Sequence, residues 1–285
     1  MEVNNQRNLY PIDPDKHQTH KLPMKALRII PLAIAILVVV GMIVYFLFYG
    51  KSSNDFKDLS QQVQSAQTTY PVESIPSDTA PIDPTAETQE AKKDMLAHYA
   101  DLYEQNPDFY GWLQIDDTVI DYPVMRSVEE PEKYLHANFM AEYSYPGIPF
   151  VDYQCSNDSD NILIYGHNML DGSMFRSLIK YENQSYWEAH PTIMYSDLYG
   201  EYEYEVLAAF YDRVYKKSET CFKFYQFIDA ESELDFDDAI SRFKEKSIYD
   251  TGVDAEYGDQ LITLVTCAYH VENGRFVVVA RRSAN

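Results

Sequence analysis

The sequence predicts a mainly β domain, a closed or partly closed barrel of roughly eight short strands, carried behind a membrane-spanning helix. Three observations predict it. Short β-favouring runs, each bounded by Gly, Pro, Asp or Asn, recur through the C-terminal two thirds of the chain. Only two helical stretches interrupt them, so alternating βαβ units and a parallel sheet are disfavoured. Near the N-terminus a long uncharged apolar run stands apart from all of this.

That run is residues 29–49, "IIPLAIAILVVVGMIVYFLFY", 21 residues without a charge. A helix of this length spans roughly 30 Å, the hydrocarbon thickness of a bilayer. Pro31 lies in the first turn, where a missing N–H does no harm, and Tyr45 and Tyr49 suit the outer interface. The run is too long for a signal peptide, and no small-residue cleavage site follows it. Arg7, Lys16, Lys21, Lys25 and Arg28 precede it, whereas Lys51 and Lys57 behind it are offset by Asp55 and Asp58. Residues 1–28 are therefore expected in the cytoplasm, and the bulk of the chain outside.

Residues 50–86 lack an apolar period and carry Pro71, Pro76, Pro81 and Pro84 among Ser and Thr, which predicts an extended extracellular stalk. The folded domain is expected over 87–285. It opens with "ETQEAKKDMLAHYADLYEQNPD", a helical pattern with Met95, Leu96, Tyr99, Leu102 and Tyr103 on one face, ended by Pro107. The strand-like runs follow: "GWLQI", "VIDYPVM", "IPFVDY", "NILIYGH", "TIMYS", "YEYEVLAAFYDRV", "QLITLVTCAY" and "RFVVVARR". The two helical interruptions are "SMFRSLIKY" and "DFDDAISRFKEKSIY", at 173–181 and 235–249.

Composition narrows the function. A net charge of −22 argues against nucleic acid, because a phosphate binder needs a basic surface. It suits a soluble domain beside a charged wall, or one that handles cationic or neutral partners. Three cysteines, Cys155, Cys221 and Cys267, leave at least one thiol free. That is too sparse for a disulfide scaffold.

Cys267 ends a strand-like run, and Arg275 opens the next one across a short polar turn. A lone cysteine is commonly a buried structural residue. A strand end on a barrel rim, with an arginine near it, is instead where a working thiol would be placed, since a nucleophilic thiol needs a base or a positive neighbour. Among the histidines beyond the apolar run, His98 is expected exposed on the first helix. His136 sits in a short turn, and His190 precedes Pro191. His270 lies three residues from Cys267, so on a continued strand it would face the opposite way. His167 follows the strand "NILIY" and Gly166, which puts an imidazole on a rim, and it is the favoured base. An arginine beside a thiol supplies fixed charge and donors for a developing oxyanion; otherwise it is solvated or paired with a carboxylate. Cys267, His167 and Arg275 together would perform acyl transfer.

With these residues in place, "TLVTC" with a downstream Arg and an upstream "YGHNM" resemble the sortase family of Gram-positive cysteine transpeptidases over about residues 90–282. "YGWLQIDDTVIDYPVMRS", "YLHANF" and "YGHNMLDGSMFRSL" are most similar to its class B subgroup. The resemblance implies a closed eight-stranded barrel with an N-terminal helix and a helix between the sixth and seventh strands. It implies Cys267 as nucleophile, His167 as general acid and base, and Arg275 as the substrate-positioning and oxyanion residue. It also implies cleavage of an LPXTG-like or NPQTN-like C-terminal sorting signal through a thioacyl intermediate. An amine of a lipid II-type peptidoglycan precursor, or a pilin lysine, would resolve that intermediate. Val265 departs from the Ser that many class B members carry in "TLSTC", so a hydroxyl contact is lost there; Thr266 is kept, and the Cys-to-Arg connection is brief. A pilin polymerase and a non-catalytic wall-binding module are the rival readings.

No cofactor and no metal are expected. "VDYQCSNDSDN" (151–161) has oxygen ligands but neither the spacing nor the closing Glu of a calcium loop. Cys267, His167 and His270 fall short of a structural zinc set. Cys155 and Cys221 are expected inert, and "DAESELDFDD" (229–238) is expected to be a solvated loop leading into a helix.

Overall fold

The structure is a computed structural model that describes residues 24–69 and 95–283. The helices are α1 (Met24–Thr69), α2 (Ala97–Gln105), α3 (Gln184–Ala189) and α4 (Glu233–Lys246). The strands are β1 (Phe109–Gln114), β2 (Asp121–Met125), β3 (Phe150–Val151), β4 (Asn161–Tyr165), β5 (Thr192–Asp197), β6 (Glu201–Arg213), β7 (Leu261–Cys267) and β8 (Gly274–Arg282). They close a barrel in the order β1-β2-β3-β4-β7-β8-β6-β5. All eight predicted runs form strands, and α4 lies between the sixth and seventh, as expected.

The barrel is mostly antiparallel, but β2 and β3 run parallel at Met125 and Phe150, and so do β4 and β7, with Tyr165 opposite Val265. β4 and β7 are buried along nearly their whole length. This is why "NILIY" and "LITLV" read as continuous apolar runs rather than alternating ones. Along β7 and β8 one face carries Leu261, Val265, Val277 and Val279 into a cluster with Phe236, Ala239, Ile240 and Phe243 of α4. The α4 positions recur at helical spacing, which gives the helix one apolar stripe to bury. Ser232 caps its start by accepting from the Asp235 N–H at 3.3 Å. Glu233 and Asp235 in the first turn, and Lys244 and Lys246 in the last, match the helix dipole. The helix thus begins inside the acid-rich stretch, as expected of a loop that leads into a helix, two residues before the expected start at 235.

Three expectations are corrected, those for the first part of the stalk, for His98 and for Tyr103. Residues 50–69 are helical rather than an extended stalk, because Phe56, Leu59 and Val63 form a stripe that the barrel domain buries. The Phe56 ring meets Tyr122 edge-on at 5.2 Å, and the Ser60 hydroxyl donates to Asp121 at 2.9 Å. His98 is buried at 3% exposure, beside Glu201 at 3.4 Å, while Tyr103 of the expected apolar face lies exposed. The stretch 173–181 is helical as expected, in the form of a 3-10 helix over Phe175–Glu182, and the unforeseen α3 follows it.

The expected membrane span falls within α1, where the described apolar side chains from Ile34 to Ile43 are exposed. Among the described residues no helix is long and apolar enough to cross a membrane. Most of the expected cytoplasmic tail, the Pro-rich part of the expected stalk and the first residues of the expected N-terminal helix lie outside the described residues.

Candidate active site

The parallel β4–β7 register determines what the site contains. Tyr165 pairs with Val265, so the residues two further along each strand, His167 and Cys267, leave the barrel at the same rim. Beyond the last pair the Gly166 N–H donates to the Val265 carbonyl at 3.1 Å. The Thr266 hydroxyl donates back to the Gly166 carbonyl at 2.8 Å. Gly166 must be glycine here, since a Cβ would come within 2.6 Å of the Phe175 ring. On the other side of β7, Cys267 pairs with Arg275 of β8.

The three predicted residues line one cleft of about 340 Å³, together with Pro131, Glu132, Leu135, Phe150, Asp152, Tyr153, Tyr165, Gly166, Val265 and Thr266. Cys267, His167 and Arg275 are each half-buried. The Arg275 guanidinium donates to its own turn, to the Gly274 carbonyl at 2.9 Å and the Asn273 carbonyl at 3.3 Å. His167 Nε2 lies 2.9 Å from the Leu135 carbonyl. A carbonyl only accepts, so Nε2 carries the proton and Nδ1 is the basic nitrogen of the neutral ring. Burial lowers the affinity of His167 for a second proton. The Leu135 bond works against this, and the neighbouring His136 adds to it.

The other histidines are elsewhere or in other roles. His136, expected only as a turn residue, stacks on His167 with ring centres 5.4 Å apart. His190 bonds the Tyr186 carbonyl at 2.8 Å, and His270 packs on Tyr211 at 4.7 Å. All three thiols are free. Cys155 is fully buried, and burial pushes its thiol up to about 12, which leaves it protonated and unreactive. Among the described residues no group of three or more His, Cys, Asp or Glu is placed to hold a metal ion.

Val265 is 1% exposed and forms part of the cleft floor, presenting methyl groups where a serine would offer a hydroxyl. Tyr165 donates its hydroxyl to Asp152 at 3.2 Å on the cleft wall. One contact of the site was not foreseen. Asn168, next to His167, donates from Nδ2 to the Cys267 carbonyl at 2.7 Å. Its partner is a backbone group 99 residues away, so no local pattern announces it.

Comparison with known proteins follows the same lines. The family described as Sortase domain matches residues 113–283. A Listeria monocytogenes protein named Sortase B is 39% identical over 184 residues, covering 62% of this chain and 71% of that protein. A Staphylococcus aureus Sortase B is 30% identical over 187 residues, covering 64% and 73%. In three dimensions, a Staphylococcus aureus sortase B–substrate complex superimposes with a TM-score of 0.68 at 24% identity. The match covers 83% of this chain and 98% of that one, and it shows a shared fold.

Proposed function

The chain belongs to the sortase family, as a sortase B-like cysteine transpeptidase, and from that premise we propose that Cys267, His167 and Arg275 carry out the transfer. Its substrates are secreted proteins bearing an LPXTG-like or NPQTN-like C-terminal sorting signal. The observation that carries this reading is the shared rim: β4 and β7 in parallel register bring His167 and Cys267 to one cleft, and β8 sets Arg275 beside the thiol.

The steps follow from the groups present. The Cys267 sulfur attacks the carbonyl that precedes the last residue of the signal, and its proton passes to Nδ1 of His167. Arg275 donors stabilise the negative oxygen of the tetrahedral intermediate. His167 returns the proton to the leaving amine, and a thioester to Cys267 remains. An amine of a lipid II-type peptidoglycan precursor then attacks the thioester and gives its proton to His167. The new amide leaves, and the proton returns to the thiol. The arrangement needs no metal or cofactor in any of these steps.

The enzyme works from the membrane. Residues 29–49 form a single span with residues 1–28 in the cytoplasm, and the barrel domain faces the wall outside. The charge asymmetry around the span supports this orientation, and the exposed apolar side chains from Ile34 to Ile43 support the span itself.

The test is a quenched sorting-signal peptide offered to the wild type and to Cys267→Ala. The variant is expected to keep the fold and lose cleavage; retained turnover would overturn the assignment.

A further inference from the structure

Asn168 occupies the place where the β4–β7 ladder stops. In a parallel pair the donors recur every second residue. The Gly166 N–H reaches the Val265 carbonyl, so the next bond would run from the backbone of residue 168 to the carbonyl of residue 267. The chain turns away at His167 instead. The side chain of the same residue supplies the missing donor, Asn168 Nδ2 to the Cys267 carbonyl at 2.7 Å. Asn168 is 7% exposed, and its Oδ1 accepts from Arg176 Nη1 at 3.0 Å. The charged guanidinium thereby fixes which end of the amide faces Cys267.

The loop that carries His167 is closed around this contact. Asn168 bridges to Met174, and the Phe175 N–H returns to the His167 carbonyl at 2.9 Å. Met174 has φ +54°, a strained backbone for a residue with a side chain, and its N–H donates to the Tyr122 hydroxyl at 3.1 Å. The loop is thus held from the barrel at one end and tied to the thiol-bearing strand at the other.

We infer that Asn168, oriented by Arg176, is a positioning residue for the transfer. By standing in for a ladder bond it sets the distance between the Cys267 main chain and the His167 ring, while touching no substrate. This rests on the transpeptidase reading above and adds a role that neither the thiol nor the imidazole supplies. A displacement of about 1 Å between reacting groups lowers rates on the order of a hundredfold.

The experiment compares wild type, Asn168→Ala, Asn168→Asp and His167→Ala. It reads kcat and KM on a sorting-signal peptide, melting temperature, and the pH dependence of Cys267 alkylation by iodoacetamide. Alkylation is followed on the Cys267 tryptic peptide, so exposed Cys221 does not contribute. Asn168→Asp keeps the size and the Arg176 contact but cannot donate to a carbonyl. Both Asn168 variants are expected to lose about tenfold to a hundredfold in kcat with KM changed less than about twofold. Their alkylation midpoints are expected to move toward that of His167→Ala. Wild-type kcat in Asn168→Asp would overturn the inference. If the wild type cleaves no such peptide, the transpeptidase reading fails by itself and the alkylation profile decides: a shifted midpoint upholds the positioning role, and an unchanged one overturns it.

Discussion

Cys267 and Arg275 form the last paired residues of the β7–β8 ladder, directly opposite one another at the rim of the cleft. Directly opposed residues project to the same face of a sheet, so the guanidinium stands on the thiol's side. Arg275→Ala is expected to lower kcat by about a hundredfold to a thousandfold, the usual effect of removing an oxyanion donor. Arg275→Lys should recover only part of this, because an ammonium lacks the planar fork. Peptide-cleavage kinetics check both, and alkylation of Cys267 in Arg275→Ala shows that the thiol itself remains.

Acidification should weaken the fold through His98. Burial holds this imidazole below its ordinary value of 6.5, and Glu201 offsets that only in part. Above about pH 6.5 both folded and unfolded chains hold the ring neutral, so His98 contributes no pH dependence there. As the pH falls below that point the unfolded chain takes up the proton first, and stability declines until the folded value is passed. His98→Gln should therefore melt with a smaller drop between pH 7.5 and 5 than the wild type. A residual slope is expected from His167, whose shift has the same direction.

The second half of α1 is part of the folded domain. Phe56 is 8% exposed and packs on Tyr122. Phe56→Ala should lower unfolding free energy by about 2 kcal/mol, as expected for withdrawing one such side chain from a packed face. Denaturant titration of the full chain in detergent measures this directly, and an unchanged midpoint would show that the helix stripe contributes nothing.

Capping of α4 is separable from catalysis. Ser232→Ala removes the acceptor for the Asp235 N–H and should reduce stability by about 1 kcal/mol, whereas Ser232→Asp should preserve it. Thermal melts of the two variants decide, with peptide cleavage unaffected in both.

The barrel was legible because its strands are short, β-branched and punctuated by turn residues, and each quoted run became a strand. Cys267 and Arg275 were legible as a pair because one hairpin joins them. His167 was legible from Gly166 at the end of an apolar strand, but its meeting with Cys267 depends on a parallel register a hundred residues apart, which no window of sequence displays. The stripe of Phe56, Leu59 and Val63 was lost in a background of Ser and Gln, and its period emerges only against the barrel face that covers it. The burial of His98 is hidden for a related reason: its face of α2 lies against Glu201 of β6 and beside Gln62, Ser65 and Ala66 of α1, both remote in sequence. Asn168 escaped notice because its partner is a carbonyl, and carbonyls leave no mark in a sequence.

The most direct test of the account is the mass of the acyl-enzyme. Full-length protein incubated with LPXTG-like and NPQTN-like peptides, quenched in acid and digested, should show the N-terminal peptide fragment attached to the Cys267 peptide as a thioester. The adduct should disappear when an amine acceptor is added. Cleavage with no adduct on Cys267, or an adduct confined to Cys221, would contradict it.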